Sequence, residues 1–193
     1  MNLAKLFEMQ RQLDEHIEKE HPRQEGEDRL AKKILALQVE LGELANEWRG
    51  FKYWSNNQKP RIRAYDKCPC GTDYGSCDEY SCEDGLLTYN PLLEEYVDTL
   101  HFLLSIGLEI EASFRPYSKC KAGDVLNQLR MLYRSINEFD ARSKRIEHRD
   151  GYYKEMFQDF LNLGEMLGFS WEEVEEAYIR KNAVNHERQN NGY

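Results

Sequence analysis

Two pairs of acids interrupt helical patterns where apolar side chains are expected. Glu40 and Glu43 lie three residues apart in VELGEL, flanking the stripe Leu37, Leu41 and Leu44. Glu95 and Asp98 repeat the spacing in EEYVDTLHF, beside Val97 and Leu100. Residues three apart on a helix project from adjacent turns on one side. Two such helices packed together would converge four carboxylates, which repel and take up protons unless a cation joins them. Hard oxygen donors suit Mg²⁺ or Mn²⁺. The plainer alternative is a solvated acidic face. Gly42 sits inside the first pair. A helical glycine costs about 1 kcal/mol against alanine, and here it would leave room for a close helix or a ligand.

Other polar residues share apolar lines. Gln10 and Asp14 stand among Leu3, Leu6, Leu13 and Ile17. A glutamine both donates and accepts, which suits a base edge as well as a helix boundary. The line Trp171, Val174, Tyr178, Lys181, Asn185, Arg188 changes from apolar to aromatic to cationic. Lysine and arginine on a line that begins as core suit phosphates; a solvated C-terminal helix face is the other reading. The run FKYWS, Phe51 to Ser55, either packs the core or walls a nucleobase. His101 follows Asp98 by three residues, and is read as a structural histidine or a ligand.

The elements that must position these residues are helical. Apolar spacing predicts helices over 3–20, 27–50, 91–113, 122–140, 150–167 and 170–189. Pro91 stands near one start, and Ser170-Trp-Glu-Glu173 forms a capping-box pattern at another. Almost nothing alternates with period two, so the expected fold class is all-α, one helical bundle over residues 1–193.

Residues 59–90 lose the period and read as an irregular insert. They hold Cys68, Cys70, Cys77 and Cys82, while Cys120 stands apart. The spacing C-x-C-x6-C-x4-C matches no standard finger, and structural zinc, free thiols and redox pairing all remain open.

The 193-residue chain carries 26 Lys and Arg against 35 Asp and Glu, a formal charge of -9. That sign disfavours broad contact with a phosphate backbone, and so a nucleic-acid partner. It permits a small polyanion whose metal inverts the local field. The longest apolar stretch, Leu100 to Leu108, is broken by Ser105 and Gly107 and too short to span a bilayer, so no membrane partner is expected. MNLAKLFEMQRQLDEH becomes charged at once, and a cytoplasmic location is expected.

Taken together, LFEMQRQLDEHI, LQVELGELANE, FKYWS, EEYVDTLHFLLS and the tail with Tyr178, Lys181, Asn185, Arg188, Gly192 and Tyr193 resemble the dimeric, all-α dUTP diphosphatases, relatives of the MazG-like nucleotide pyrophosphatases. The resemblance covers nearly the whole chain except the insert. It implies an all-α NTP pyrophosphatase fold and hydrolysis of dUTP, and of dUDP, to dUMP. It implies Glu40, Glu43, Glu95 and Asp98 as Mg²⁺ ligands, with Glu43 orienting or deprotonating the attacking water. It implies Gln10, Lys52, Trp54, His101 and Phe102 at the nucleoside, and Tyr178, Lys181, Asn185 and Arg188 at or beside the phosphates. It further implies a homodimer whose subunits share the pockets. The cysteine-rich segment departs from the family, and is read as a lid or a surface for a regulatory protein. A sister enzyme acting on dCTP is the near alternative. A di-iron carboxylate bundle, with Asp98-x-x-His101 as a partial ligand motif, and a non-enzymatic interaction module are remote ones.

Overall fold

A computed structural model describes residues 2–65 and 88–192. The four clustered cysteines, Cys68, Cys70, Cys77 and Cys82, lie outside the described residues. The elements run α1 (Leu3–Glu20), α2 (Arg29–Trp48), β1 (Ala64–Tyr65), β2 (Thr88–Tyr89), α3 (Pro91–Glu109), α4 (Val125–Arg142), α5 (Ile146–Leu167) and α6 (Trp171–Asn190). The fold is all-α, with one short antiparallel pairing among the described residues. Ala64 faces Tyr89 and Tyr65 faces Thr88, so β1 and β2 join the roots of the segment between them. A bridge of two residues is too short to show as alternation.

Helix starts follow from local chemistry. The Asp28 carboxylate accepts from Ala31 N–H, which sets the start of α2 at Arg29 rather than at residue 27. Asp124 does the same for α4 through Asn127 N–H, moving that start from 122 to Val125. Asn90 caps α3 ahead of Pro91, whose missing N–H costs nothing at that position. The capping box at Ser170 and Glu173 forms as the spacing predicts. α3 ends at Glu109, four residues before the expected limit. Just beyond, Glu111 turns to a positive φ of 53°, which cannot continue a right-handed helix.

α2 packs along α3, α4 along α5, and α1 and α6 both lie against α3. The apolar stripes of all six helices meet in one core, from Leu6 and Leu37 through Leu100, Phe139 and Phe157 to Tyr178. α3 is buried nearly all round and is the central element. Two glycines allow close tyrosine contacts between α3 and α5. A Cβ on Gly107 would collide with the Tyr153 ring, whose hydroxyl donates to Leu103 O at 3.0 Å. A Cβ on Gly164 would collide with Tyr96 of α3. Gly42 differs from the sequence expectation. A Cβ there would meet only the Tyr133 hydroxyl, at an ordinary 3.5 Å, so the site gains no room from this glycine. No helix among the described residues is long and apolar enough to cross a membrane.

Candidate active site

The contact of α2 with α3 brings the two acid pairs together. Glu40, Glu95 and Asp98 each offer an oxygen within 4.8 Å of the others. Their environment shows how unfavourable three close charges are. Burial, then the charges of Asp98 and Glu43, push the Glu40 carboxyl up to about 7. Burial and the charges of Asp98, Glu43 and Glu40 push Glu95 up to about 8. Burial also raises Asp98, although Lys181 opposes it. Glu95 Oε2 is buried without a hydrogen-bond partner among the described residues, a position that a neutral wall leaves unsatisfied and a cation would satisfy. The donor set is all oxygen, which fits a hard divalent ion. Glu43 stands at the exposed edge of this group and is not one of the three converging acids.

α6 supplies the opposing charge. The Lys181 ammonium donates to Asp98 Oδ2 at 2.7 Å and to Glu94 Oε1 at 3.0 Å. Burial works against this cation, but its bonds to Asp98 and Glu94 carry it above the ordinary lysine value. The charge of Arg188, further along the same face, also lowers Asp98. The cationic line of α6 therefore meets the acids of α3. The sequence pattern foresaw the line but not this partner.

Between α1, α2, α3 and α6 lies a cavity of about 810 Å³. Glu40, Asp98 and Lys181 form part of its wall, with Gln10, His101, Phe102, Asn185 and Arg188. Gln10 is buried, and each side of its amide is used. Its Oε1 accepts from the Tyr178 hydroxyl and bonds His101 Nδ1, both at 2.8 Å, and its Nε2 donates to Asp14 Oδ1 at 2.7 Å. Tyr178 stacks on the His101 ring at 4.1 Å and is buried behind it. Burial pushes the imidazole down to about 3, so His101 is neutral. Its Nδ1 faces Gln10, and no histidine joins the carboxylate group among the described residues. The di-iron arrangement lacks its ligand there. Asp14 Oδ2 accepts from Ser105 Oγ at 2.6 Å and from Lys33 at 3.4 Å. Lys33 also reaches Glu109, which forms a two-pronged pair with Arg23. The sequence reading overlooked Lys33, Ser105 and Glu109. Lys33 lies two helical turns before Glu40, on its side of α2, a spacing that signals a shared wall.

Lys52 and Trp54 stand elsewhere. They follow α2 and do not line the cavity. Trp54 meets Phe51 and Tyr53 edge to face while remaining 64% exposed, and Lys52 lies over the Phe51 ring. Within the chain this cluster neither packs the core nor walls the cavity.

A comparison with curated proteins finds no match. A family model described as dUTPase matches residues 2–65 and 86–193, leaving out most of the cysteine-rich segment. The matched stretches contain all the helices of the described residues and every wall of the cavity just described. With six helices among the described residues, a carboxylate group able to hold a metal and a cavity beside it, the chain belongs to the all-α dUTPase family, whose activity is dUTP hydrolysis.

Proposed function

We propose that the chain is one domain of residues 1–193 that hydrolyses dUTP, and also dUDP, to dUMP with Mg²⁺. The observation that carries this reading is the convergence of Glu40, Glu95 and Asp98, of which Glu40 and Asp98, with Lys181, line a cavity large enough for a nucleotide. Glu40, Glu43, Glu95 and Asp98 would hold the metal; Mn²⁺ offers the same hard-acid chemistry. When bound, the ion supplies charge neutralisation at the phosphates and lowers the pKa of water.

Glu43, exposed at the edge of the acids, would take a proton from an entering water. Lys181 and Arg188 offer positive charge to phosphate oxygens, with Asn185 beside them on the cavity wall. Gln10, His101 and Phe102 line the part of the cavity assigned to the nucleoside, and Tyr178 supports it from behind. Lys52 and Trp54 lie outside this cavity, so their contribution requires a second subunit. A cytoplasmic homodimer that shares its pockets would present them. Zinc at Cys68, Cys70, Cys77 and Cys82, or a regulatory partner at the insert, would be an addition that the reaction as written does not require.

Pyrophosphate release from dUTP, in Mg²⁺ and in chelator, tests the reading. We expect turnover only with metal, cleavage of dUDP to phosphate, and slow turnover of dCTP. No hydrolysis of dUTP, or equal hydrolysis of dCTP, refutes the substrate assignment.

A further inference from the structure

Four helices supply a chain of hydrogen bonds that ends on an unused nitrogen. The Asp14 carboxylate can only accept, so the edge of the Gln10 amide that faces it at 2.7 Å must be the NH₂. The amide oxygen is thereby turned to His101 Nδ1 and to the Tyr178 hydroxyl, each at 2.8 Å. A carbonyl oxygen cannot donate, so Nδ1 must carry the imidazole proton. His101 is neutral, and a neutral ring protonated at Nδ1 has a bare lone pair at Nε2. Nε2 is buried and has no partner among the described residues, although the His101 side chain lines the cavity. Asp14 is itself held from two further helices, by Ser105 on α3 and Lys33 on α2.

We propose that Asp14 is a positioning residue that acts through the Gln10 amide to fix His101 as the Nδ1–H tautomer, leaving Nε2 as the acceptor for a hydrogen-bond donor of the bound nucleoside. The second half rests on the nucleotide reading above; the first half does not. Deoxyuridine carries such donors away from its phosphates at two places, the imide N–H of the base and the 3′-hydroxyl of the sugar. The shared requirement is a neutral donor. A protonated or reversed imidazole would set N–H against the imide N–H, and would force the 3′-hydroxyl to turn and accept instead of donate.

Nitrogen-15 spectra of the histidine side chains, recorded on the full unliganded chain, read the tautomer directly. The wild-type chain is expected to show the protonated-type signal at His101 Nδ1 and the bare-type signal at Nε2. Asp14→Asn keeps the shape but adds an NH₂. The Lys33 ammonium draws the new carbonyl, the NH₂ turns to Gln10, the Gln10 amide reverses, and the His101 proton moves to Nε2. A wild-type proton on Nε2 overturns the proposal without any variant. So does an unchanged tautomer in a folded Asp14→Asn chain. A merely structural Asp14 would alter melting and leave these signals in place.

Kinetics then identify the donor. Asp14→Asn should lower kcat/KM for dUTP about tenfold, the effect of one lost hydrogen bond. That penalty should vanish with whichever analogue lacks the matching donor, N3-methyl-dUTP or the 3′-deoxy triphosphate. An equal penalty with all three substrates overturns the assignment of Nε2 to the nucleoside. No dUTP turnover by the wild-type chain defeats the proposed function instead, while the spectra still judge Asp14.

Discussion

Replacing Glu95 by Gln should stabilise the metal-free protein, and only at high pH. Glu95 is crowded by Asp98, Glu43 and Glu40, with burial the largest influence, and its carboxyl titrates at about 8 instead of 4.5. The folded state therefore holds this proton more tightly than the unfolded state. The stability it contributes is full below about pH 4.5 and lost as pH rises through 8. The gap between the two values corresponds to about 5 kcal/mol. The group is only half-buried, so solvent screening reduces the expected figure to about 2 kcal/mol. For a chain of this size that is a rise in Tm of about 5 °C. Thermal unfolding in chelator at pH 5.5 and 8.5 measures it. The variant should match the wild type at pH 5.5, where both side chains are neutral, and exceed it at pH 8.5. Added Mg²⁺ should raise the wild-type Tm at pH 8.5 and raise that of Glu95→Gln much less. A variant no more stable than wild type at pH 8.5 without metal would refute the claim that burial and the neighbouring acids oppose the Glu95 charge.

Glu43→Gln should lose dUTP turnover by about a hundredfold or more while still binding the nucleotide in an equilibrium titration; wild-type turnover would remove Glu43 as the base. Lys181→Met removes the cation that lowers Glu40, Glu95 and Asp98. Its acid limb in a pH–rate profile should move to higher pH, with kcat/KM down at least about tenfold; an unmoved limb would show that Lys181 does not govern the acids. Gly107→Ala forces a methyl group against Tyr153 and should cost about 1–3 kcal/mol in a urea titration. An unchanged midpoint would mean that α5 yields freely.

Much of the fold was legible because its causes are local. Apolar side chains recur every three or four residues along each helix, and Asp28, Asn90, Asp124 and Ser170 sit where free N–H groups need an acceptor. Those devices act within one turn, so the order of residues shows them. The expected helix limits erred by up to four residues where a cap or a positive φ decided the boundary, as at Asp124 and Glu111. The acid pairs were legible for the same reason. Each breaks an apolar pattern on its own helix.

What the chain alone determined was which side chains share a helix face: Glu40 with Glu43, Glu95 with Asp98, and Lys181 with Arg188. Tertiary packing decided which faces meet. It set Glu40 against Glu95 and Asp98 while leaving Glu43 at the edge, and it turned Lys181 onto Asp98. It also kept Trp54 out of the cavity and joined Asp14, Gln10 and His101 across residues that lie up to 91 positions apart. The reason is range. A helical period is written in neighbours three and four residues away, whereas a hydrogen bond between helices depends on the angle and depth at which their apolar stripes pack.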